Sequence, residues 1–247
     1  MKRGVRRWAV VPAAGRGERF GGSLPKQYVP LLGRPALSWS LAALLAEPAI
    51  LGIMVAIAPG DRRFARLPEA RDPRVRSCPG GARRELSVAN ALAALAGEAR
   101  DEDWVLVHDA ARPCLHPDDL RALLEVVGED AVGGLLALPL SDTLKAADPR
   151  GCSARTLPRE GLWRALTPQM IRYGVLRRAL ALSIERDRPV TDEAAAVEAL
   201  GMRPRLVPGR ADNIKVTQPE DRAMAEAILA ARGAGSAHRT RLRRPRV

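Results

Sequence analysis

Short apolar runs alternate with helix-patterned segments along most of this chain, and the alternation restricts it to an α/β architecture. Residues 8–12, 50–57, 104–108 and 132–138 are aliphatic-rich stretches of strand length, while 36–46, 83–97 and 117–127 carry helical periodicity. Parallel strands joined by helices are buried on both faces and therefore read as near-continuous apolar runs. The pattern predicts a doubly wound, mostly parallel sheet with helices on both faces, and ligands beyond the carboxyl ends of its strands. Residues 141–166 break the alternation with scattered Pro and Gly. Beyond them, helices are predicted at 170–182 and 192–200, a strand at 203–207 and a last helix at 218–231 that Gly233 ends. Thr217, Pro219 and Glu220 supply that helix's start signal, a capping box with proline in the first turn. A chain of 247 residues can bury one large core, so residues 1–232 read as a single domain and 233–247 as a basic, disordered tail.

The first strand runs into Pro12-Ala13-Ala14-Gly15-Arg16-Gly17-Glu18-Arg19-Phe20, with Pro25-Lys26 downstream. Gly15 and Gly17 lack a Cβ, so backbone N–H groups can close on an anion, and Arg19 and Lys26 supply counter-charge. A triphosphate fits such a loop; taken alone, Gly-x-Gly also fits a surface turn with solvated cations. The Gly-Lys-Ser/Thr ending of a P-loop is absent. A dinucleotide fingerprint fails as well, because Phe20 stands at its third small position and 36–40 holds no acid.

The net charge of +12 raises nucleic acid as a partner. Lys2, Arg3, Arg6 and Arg7 at one end, with Arg239, Arg241, Arg243, Arg244 and Arg246 at the other, carry 9 of those 12 charges. The body between has neither a cationic helix stripe nor interleaved aromatics on which bases could stack. No specific nucleic-acid partner is expected, and the ends read as solvated segments. Cys78, Cys114 and Cys152 are odd in number and widely spaced, which supports neither a disulfide framework nor a Cys-x-x-Cys metal site and favours a reducing cytoplasm. No membrane partner is expected, since no segment approaches the roughly 18 apolar residues of a span. The stretch before Pro12 is too short for a signal peptide.

Asp109 stands just past a strand end, where an α/β enzyme presents a carboxylate to Mg²⁺-bound phosphates. On its own it fits a helix cap or an ion pair with Arg112 better than a metal ligand. His108 alternates to the opposite face and reads as structural. Thr191 and Asp192 suit a helix N-cap, and Asp212 is either a second carboxylate near a metal or the head of an Asx turn with Asn213.

Four further segments narrow the reading: Val105-Leu106-Val107-His108-Asp109-Ala110-Ala111-Arg112-Pro113, Leu166-Thr167-Pro168-Gln169, Thr191-Asp192-Glu193-Ala194 and Ala211-Asp212-Asn213-Ile214-Lys215-Val216-Thr217. With the glycine loop, and in this order, they resemble the 2-C-methyl-D-erythritol 4-phosphate cytidylyltransferase family over residues 8 to about 231. The resemblance implies a Rossmann-like nucleotidyltransferase fold and transfer of CMP from CTP to the polyol phosphate, with release of pyrophosphate. Such a displacement at the α-phosphorus needs positioning, cations and a divalent metal more than a covalent nucleophile. Two polyanions must meet, so Arg and Lys have to offset their repulsion.

By the same resemblance, Arg19 and Lys26 stabilise the pentacovalent transition state, and Asp109 holds Mg²⁺. Ala13, Ala14, Gly15 and Gly17 face the nucleotide, with Gly81, Ala82 and Ser87 around its base and ribose. Ala82 departs from the pattern, since relatives commonly carry an acid there. Arg159 and Lys215 position the acceptor, and Ala110, Arg112, Thr143 and Thr167 make further substrate contacts. Residues 141–166 correspond to a β-arm that hooks around a second subunit, implying a homodimer; composition alone also permits a flexible lid. A ribitol-5-phosphate cytidylyltransferase shares the loop and the Asp motif, and an inactive basic binding protein is the alternative of a different class. No fused second enzyme domain follows the helix at 218–231, so a monofunctional protein is expected.

Overall fold

A computed structural model describes residues 4–15 and 24–242, with 234–242 as helix backbone. Gly17 and Arg19 lie outside the described residues. The elements are β1 (Arg7–Ala13), the short pair β2 (Pro30–Leu31) and β3 (Arg34–Pro35), α1 (Ala36–Leu45), β4 (Ile50–Ile57), β5 (Val75–Pro79), α2 (Arg84–Ala94) and β6 (Trp104–Val107). They continue with α3 (Pro117–Val127), β7 (Gly133–Pro139), β8 (Leu144–Ala147), β9 (Ser153–Leu157), β10 (Trp163–Arg172), α4 (Tyr173–Glu185), α5 (Glu193–Glu198), β11 (Arg205–Pro208) and α6 (Asp221–Leu242).

The main sheet has the order β5-β4-β1-β6-β10-β7-β11. Its pairs are parallel except those of β10, which runs antiparallel to both β6 and β7. Alternate residues of each central strand feed opposite cores. Ala9, Val11, Ile53, Val55 and Leu106 pack toward α1 and α3, whereas Trp8, Val10, Met54, Val105 and Val107 pack toward α2 and α4. Each fully buried aliphatic side chain contributes about 1.5–3 kcal/mol relative to exposure, so both faces hold the sheet in register. A third cluster joins Leu31, Ala36, Cys114, Val216, Ala225 and Leu229 and seats α6 beside the loop that carries Lys215.

From β1 the chain builds outward through β4 to β5, then returns to place β6 on the other side of β1. The crevice between β1 and β6 is thus the switch point of the sheet. Open α/β sheets bind ligands there, outside the carboxyl ends of the strands. The turn after Ala13 and the turn after Val107 flank it.

Several boundaries differ from expectation. β5 has no counterpart in the apolar pattern, because Val75-Arg76-Ser77-Cys78-Pro79 is an edge strand with polar residues turned outward. The helix expected at 170–182 begins at Tyr173; Met170 and Ile171 belong to β10 and pair with Leu106 and Val105. Buried apolar strand residues leading straight into a helix carry no periodicity signal that separates the two. The break at 141–166 is a β8–β9 hairpin followed by the start of β10.

The last helix starts at Asp221. Asp221, not Glu220, is the capping acid: its Oδ2 accepts from the amides of Thr217 and Gln218 and from the Thr217 hydroxyl. The helix also passes through Gly233 and runs to Leu242, so 233–242 is helical. Alanines at 227, 230, 231 and 234 supply the helix propensity that offsets the roughly 1 kcal/mol cost of a helical glycine. By contrast α3 matches its predicted bounds of 117–127, because His116 caps it through Nδ1 to the Asp118 amide and Pro117 occupies its first position.

Candidate active site

Two adjoining cavities open at the carboxyl end of the sheet. The first is bounded by Pro12 to Gly15, Lys26, Gln27, the 81–84 turn with Ser87, and Asp109 to Ala111. The second is bounded by Arg112, Ala165 to Thr167, Gln169, Thr191 and Asp192. Arg84, Asp109 and Lys215 line both. A ligand in one cavity and a ligand in the other would meet at these three side chains.

The first cavity is shaped by groups that hold backbone. Gln27 is buried, and its Nε2 donates to the carbonyls of Ala13 (2.7 Å) and Gly15 (3.1 Å), which fixes the start of the glycine loop. It is carried by a 3₁₀ turn, Lys26–Tyr28, that also presents Lys26 to the cavity. Gly80 lets the turn after β5 close on that loop, since a Cβ there would lie 2.3 Å from Ala14 Cβ. Ser87 Oγ accepts from the Gly81 amide at 3.1 Å and so braces the wall at Gly81 and Ala82. Ala82 is exposed and lines the cavity, leaving backbone, not a side-chain carboxylate, to face a base at that position.

At the shared boundary one carboxylate gathers three cations. Asp109 is 7% exposed, and its oxygens lie 2.8 Å from Lys215 Nζ, 3.1 Å from Arg84 Nη2 and 3.6 Å from Arg112 Nε. Burial alone would raise its pKa, but Arg84, Lys215 and Arg112 outweigh burial and hold the carboxyl well below the usual carboxylate range. Arg84 is in turn gripped by Glu193 in a two-point ion pair, Nη1 to Oε1 at 2.7 Å and Nη2 to Oε2 at 3.0 Å. The ion-paired state of Asp109 includes Arg112, as its spacing suggests, yet Arg84 and Lys215 lie closer.

Behind the boundary sits a neutral relay. His108 is fully buried, with Nδ1 2.9 Å from Thr167 Oγ1 and Nε2 3.1 Å from the Arg112 carbonyl. Burial pushes its imidazole down to about 4, against the pull of Asp109. A neutral ring with its proton on Nε2 donates to the Arg112 carbonyl and accepts from the Thr167 hydroxyl, a tautomer assigned from these partners. Thr167 Oγ1 also accepts from the Asp109 amide at 3.1 Å. Its hydroxyl thus has two protein partners and holds Asp109 in place. Asn213 donates to the Thr167 carbonyl, and its own carbonyl receives Arg112 Nη1, both at 2.8 Å. His108 is structural, as its alternation implies.

Of the residues singled out in the sequence, Ala13, Ala14, Gly15, Lys26, Gly81, Ala82, Ser87, Asp109, Ala110, Arg112, Thr167 and Lys215 converge on the two cavities. Thr143 and Arg159 do not. Both are exposed on the 141–166 excursion, where Arg159 donates to the Ser141 carbonyl, and neither lines either of these two cavities. Asp192 caps α5 through Oδ1 to the Ala195 amide at 2.8 Å. Asp212 lines neither cavity and heads no Asx turn; it pairs with Arg232 of α6 at 2.7 Å.

A family model of 2-C-methyl-D-erythritol 4-phosphate cytidylyltransferase matches residues 8–231. The chain belongs to this family. It is 52% identical over 229 residues to the cytidylyltransferase of that name from Xanthomonas euvesicatoria pv. vesicatoria, covering 93% of this chain and 87% of the relative. It is also 52% identical over 231 residues to that of Dechloromonas aromatica, covering 92% and 99%. Among solved structures, a 4-diphosphocytidyl-2C-methyl-D-erythritol synthase superposes with a TM-score of 0.80 at 38% identity, covering 91% of this chain and 99% of the other. The Francisella tularensis 2-C-methyl-D-erythritol 4-phosphate cytidylyltransferase superposes at 0.79 with 33% identity, covering 90% and 99%.

Sequence reasoning missed Gln27, Arg84, Gln169, Glu193 and Asn213 as parts of the site. Arg84 opens α2 directly after the turn that follows β5. With that edge strand unrecognised, the apolar pattern did not bring the 80–84 turn to the glycine loop; only the family resemblance of Gly81, Ala82 and Ser87 did, and it did not extend to Arg84. A charged pair separated by more than 100 positions, such as Arg84 with Glu193, leaves no local signal at all.

Proposed function

We propose that this protein transfers the cytidylyl group of CTP to 2-C-methyl-D-erythritol 4-phosphate, giving 4-diphosphocytidyl-2-C-methyl-D-erythritol and pyrophosphate. The observation that carries the reading is the pair of cavities meeting at Arg84, Asp109 and Lys215, in a chain of this family. CTP occupies the cavity walled by the glycine loop and the 81–84 turn. The acceptor occupies the other, and its phosphate reaches the α-phosphorus at the shared boundary. Lys26, Arg84, Arg112 and Lys215 offset the repulsion between the two polyanions and hold the attacking and leaving oxygens in line. Interactions that strengthen as charge builds on the pentacovalent phosphorus raise turnover more than affinity.

The reaction takes Mg²⁺. Asp109 presents one ionised carboxylate to both cavities, and no group of three potential metal ligands exists among the described residues. That donor set fits a hard cation that draws most of its oxygens from a triphosphate and water. Bound there, the ion would neutralise phosphate charge during displacement. Asp109 holds its anionic form for that purpose because the surrounding cations keep it ionised.

The working form is a homodimer. A two-stranded hairpin is marginal in water, and β8–β9 is half-buried or exposed along its whole length, which favours packing against a second copy. Thr143 and Arg159 would then serve the partner's acceptor cavity. The setting is the reducing cytoplasm: Cys78, Cys114 and Cys152 are free, and no described helix is long and apolar enough to cross a membrane. Pyrophosphate release measured with each nucleoside triphosphate against methylerythritol phosphate and ribitol 5-phosphate tests the assignment. Turnover should require CTP and the methylerythritol acceptor; turnover with ribitol 5-phosphate alone would refute it.

A further inference from the structure

Arg84 is held at the boundary between the cavities by a chain of contacts that starts at β10 and at α5, which packs on the same face of the sheet as α2. α5 is clipped to β10 by Gln169, which is 1% exposed; its Oε1 accepts from the Ala194 amide at 2.8 Å and its Nε2 donates to Asp192 Oδ2 at 3.0 Å. That clip fixes the first residue of α5, Glu193, also 1% exposed. Both Glu193 oxygens are taken by Arg84, whose Nε then donates to Asp109 Oδ1 at 3.1 Å. A buried carboxylate left without its cation is costly, so the grip is maintained.

We propose that Glu193 is a positioning residue for the transfer: it fixes the Arg84 guanidinium at the meeting point of the two cavities and so sets how the acceptor phosphate is received. This rests on the function proposed above. Glu193 lines neither cavity and touches no substrate position; Arg84 lines both. The guanidinium is planar with donors in a fixed fork, so holding one edge on Glu193 determines where the other edge faces. Without the grip, Arg84 keeps only its contact with Asp109 and is free to swing toward solvent.

The test is a double-mutant cycle on steady-state kinetics, each protein normalised by active-site titration. Glu193→Gln keeps shape and an acceptor but removes the charge. It should raise the acceptor KM at least about tenfold, with CTP affinity changed by less than about threefold, the pattern of a misplaced acceptor contact. In an Arg84→Ala background the same change should add less than about threefold, because its route is already cut. Multiplying losses, or an acceptor KM unmoved by Glu193→Gln, would overturn the proposal. If Glu193→Gln fails to fold, Glu193→Asp carries the test, since it keeps the charge and withdraws it by one methylene. It should reproduce the rise in acceptor KM, and a wild-type KM would refute the proposal. Every readout is a ratio to wild type, so an inactive wild type would count against the proposed reaction and not against this positioning role.

Discussion

Replacing Asp109 with Asn leaves three cations facing a neutral amide, and the cost can be worked from the geometry. Lys215, Arg84 and Arg112 stand 2.8, 3.1 and 3.6 Å from its oxygens. Removing one partner of a buried ion pair costs about 3–5 kcal/mol. Part is recovered here, because Lys215 and Arg84 have side chains 36% and 27% exposed and can turn toward water, while Arg84 keeps Glu193. A net loss of about 2 kcal/mol remains, equivalent to a fall in Tm of about 4–8 °C for a domain of this size. Calorimetry at neutral pH on both proteins measures it.

The pH dependence supplies the check. The folded carboxyl titrates below its unfolded value of about 3.9, so its stabilisation is complete above about pH 5 and is lost as pH falls toward the folded value. The gap between wild type and Asp109→Asn should therefore be constant from pH 5 to 8 and close in acid. An unchanged Tm, or a gap that widens on acidification, would refute the ion-paired cluster.

Three further outcomes are expected, the first two from the same geometry and the third from the proposed dimer. On the function proposed above, in which the Lys26 contact strengthens in the transition state, Lys26→Ala should lower turnover by about 10² or more with a smaller change in CTP affinity; a loss confined to KM would show a binding role only. His108, with its imidazole pushed down to about 4, should remain neutral by NMR at about pH 5.5, and the stability owed to that neutral ring should fall as pH drops from about 6.5 toward 4; a ring that titrates near 6.5 would contradict its buried relay. Arg159→Ala should raise the acceptor KM, and mixing it with Lys26→Ala should restore activity through heterodimers, whereas no recovery after confirmed subunit exchange would place Arg159 outside a shared site.

The parts of the fold legible in the sequence are those that local pattern encodes. The central strands sit where apolar runs predict them because both of their faces are buried, and α3 is bounded as predicted because Pro117 and its acidic first turn mark its start. β5 was invisible as an edge strand, and the start of α4 was misplaced because Met170 and Ile171 are as apolar in a strand as they would be in a helix. Most of the site's wall was legible through its motifs. Its internal bracing was not, since Gln27, Gln169, Glu193 and Asn213 act on backbone or on residues brought near only by the sheet order. Asp212 shows the converse: its local context suggested a carboxylate near a metal or an Asx turn with Asn213, while α6 supplies Arg232 as its partner.

The central claim is that the new phosphoric anhydride forms where the two cavities meet. A crystal structure of the protein with 4-diphosphocytidyl-2-C-methyl-D-erythritol bound tests it directly. The account predicts the diphosphate within hydrogen-bonding reach of Lys215 and Arg84, the cytosine against the 81–82 turn and the polyol in the cavity of Arg112 and Thr167. A diphosphate seated away from Asp109, or the cytosine and polyol in exchanged cavities, would contradict it.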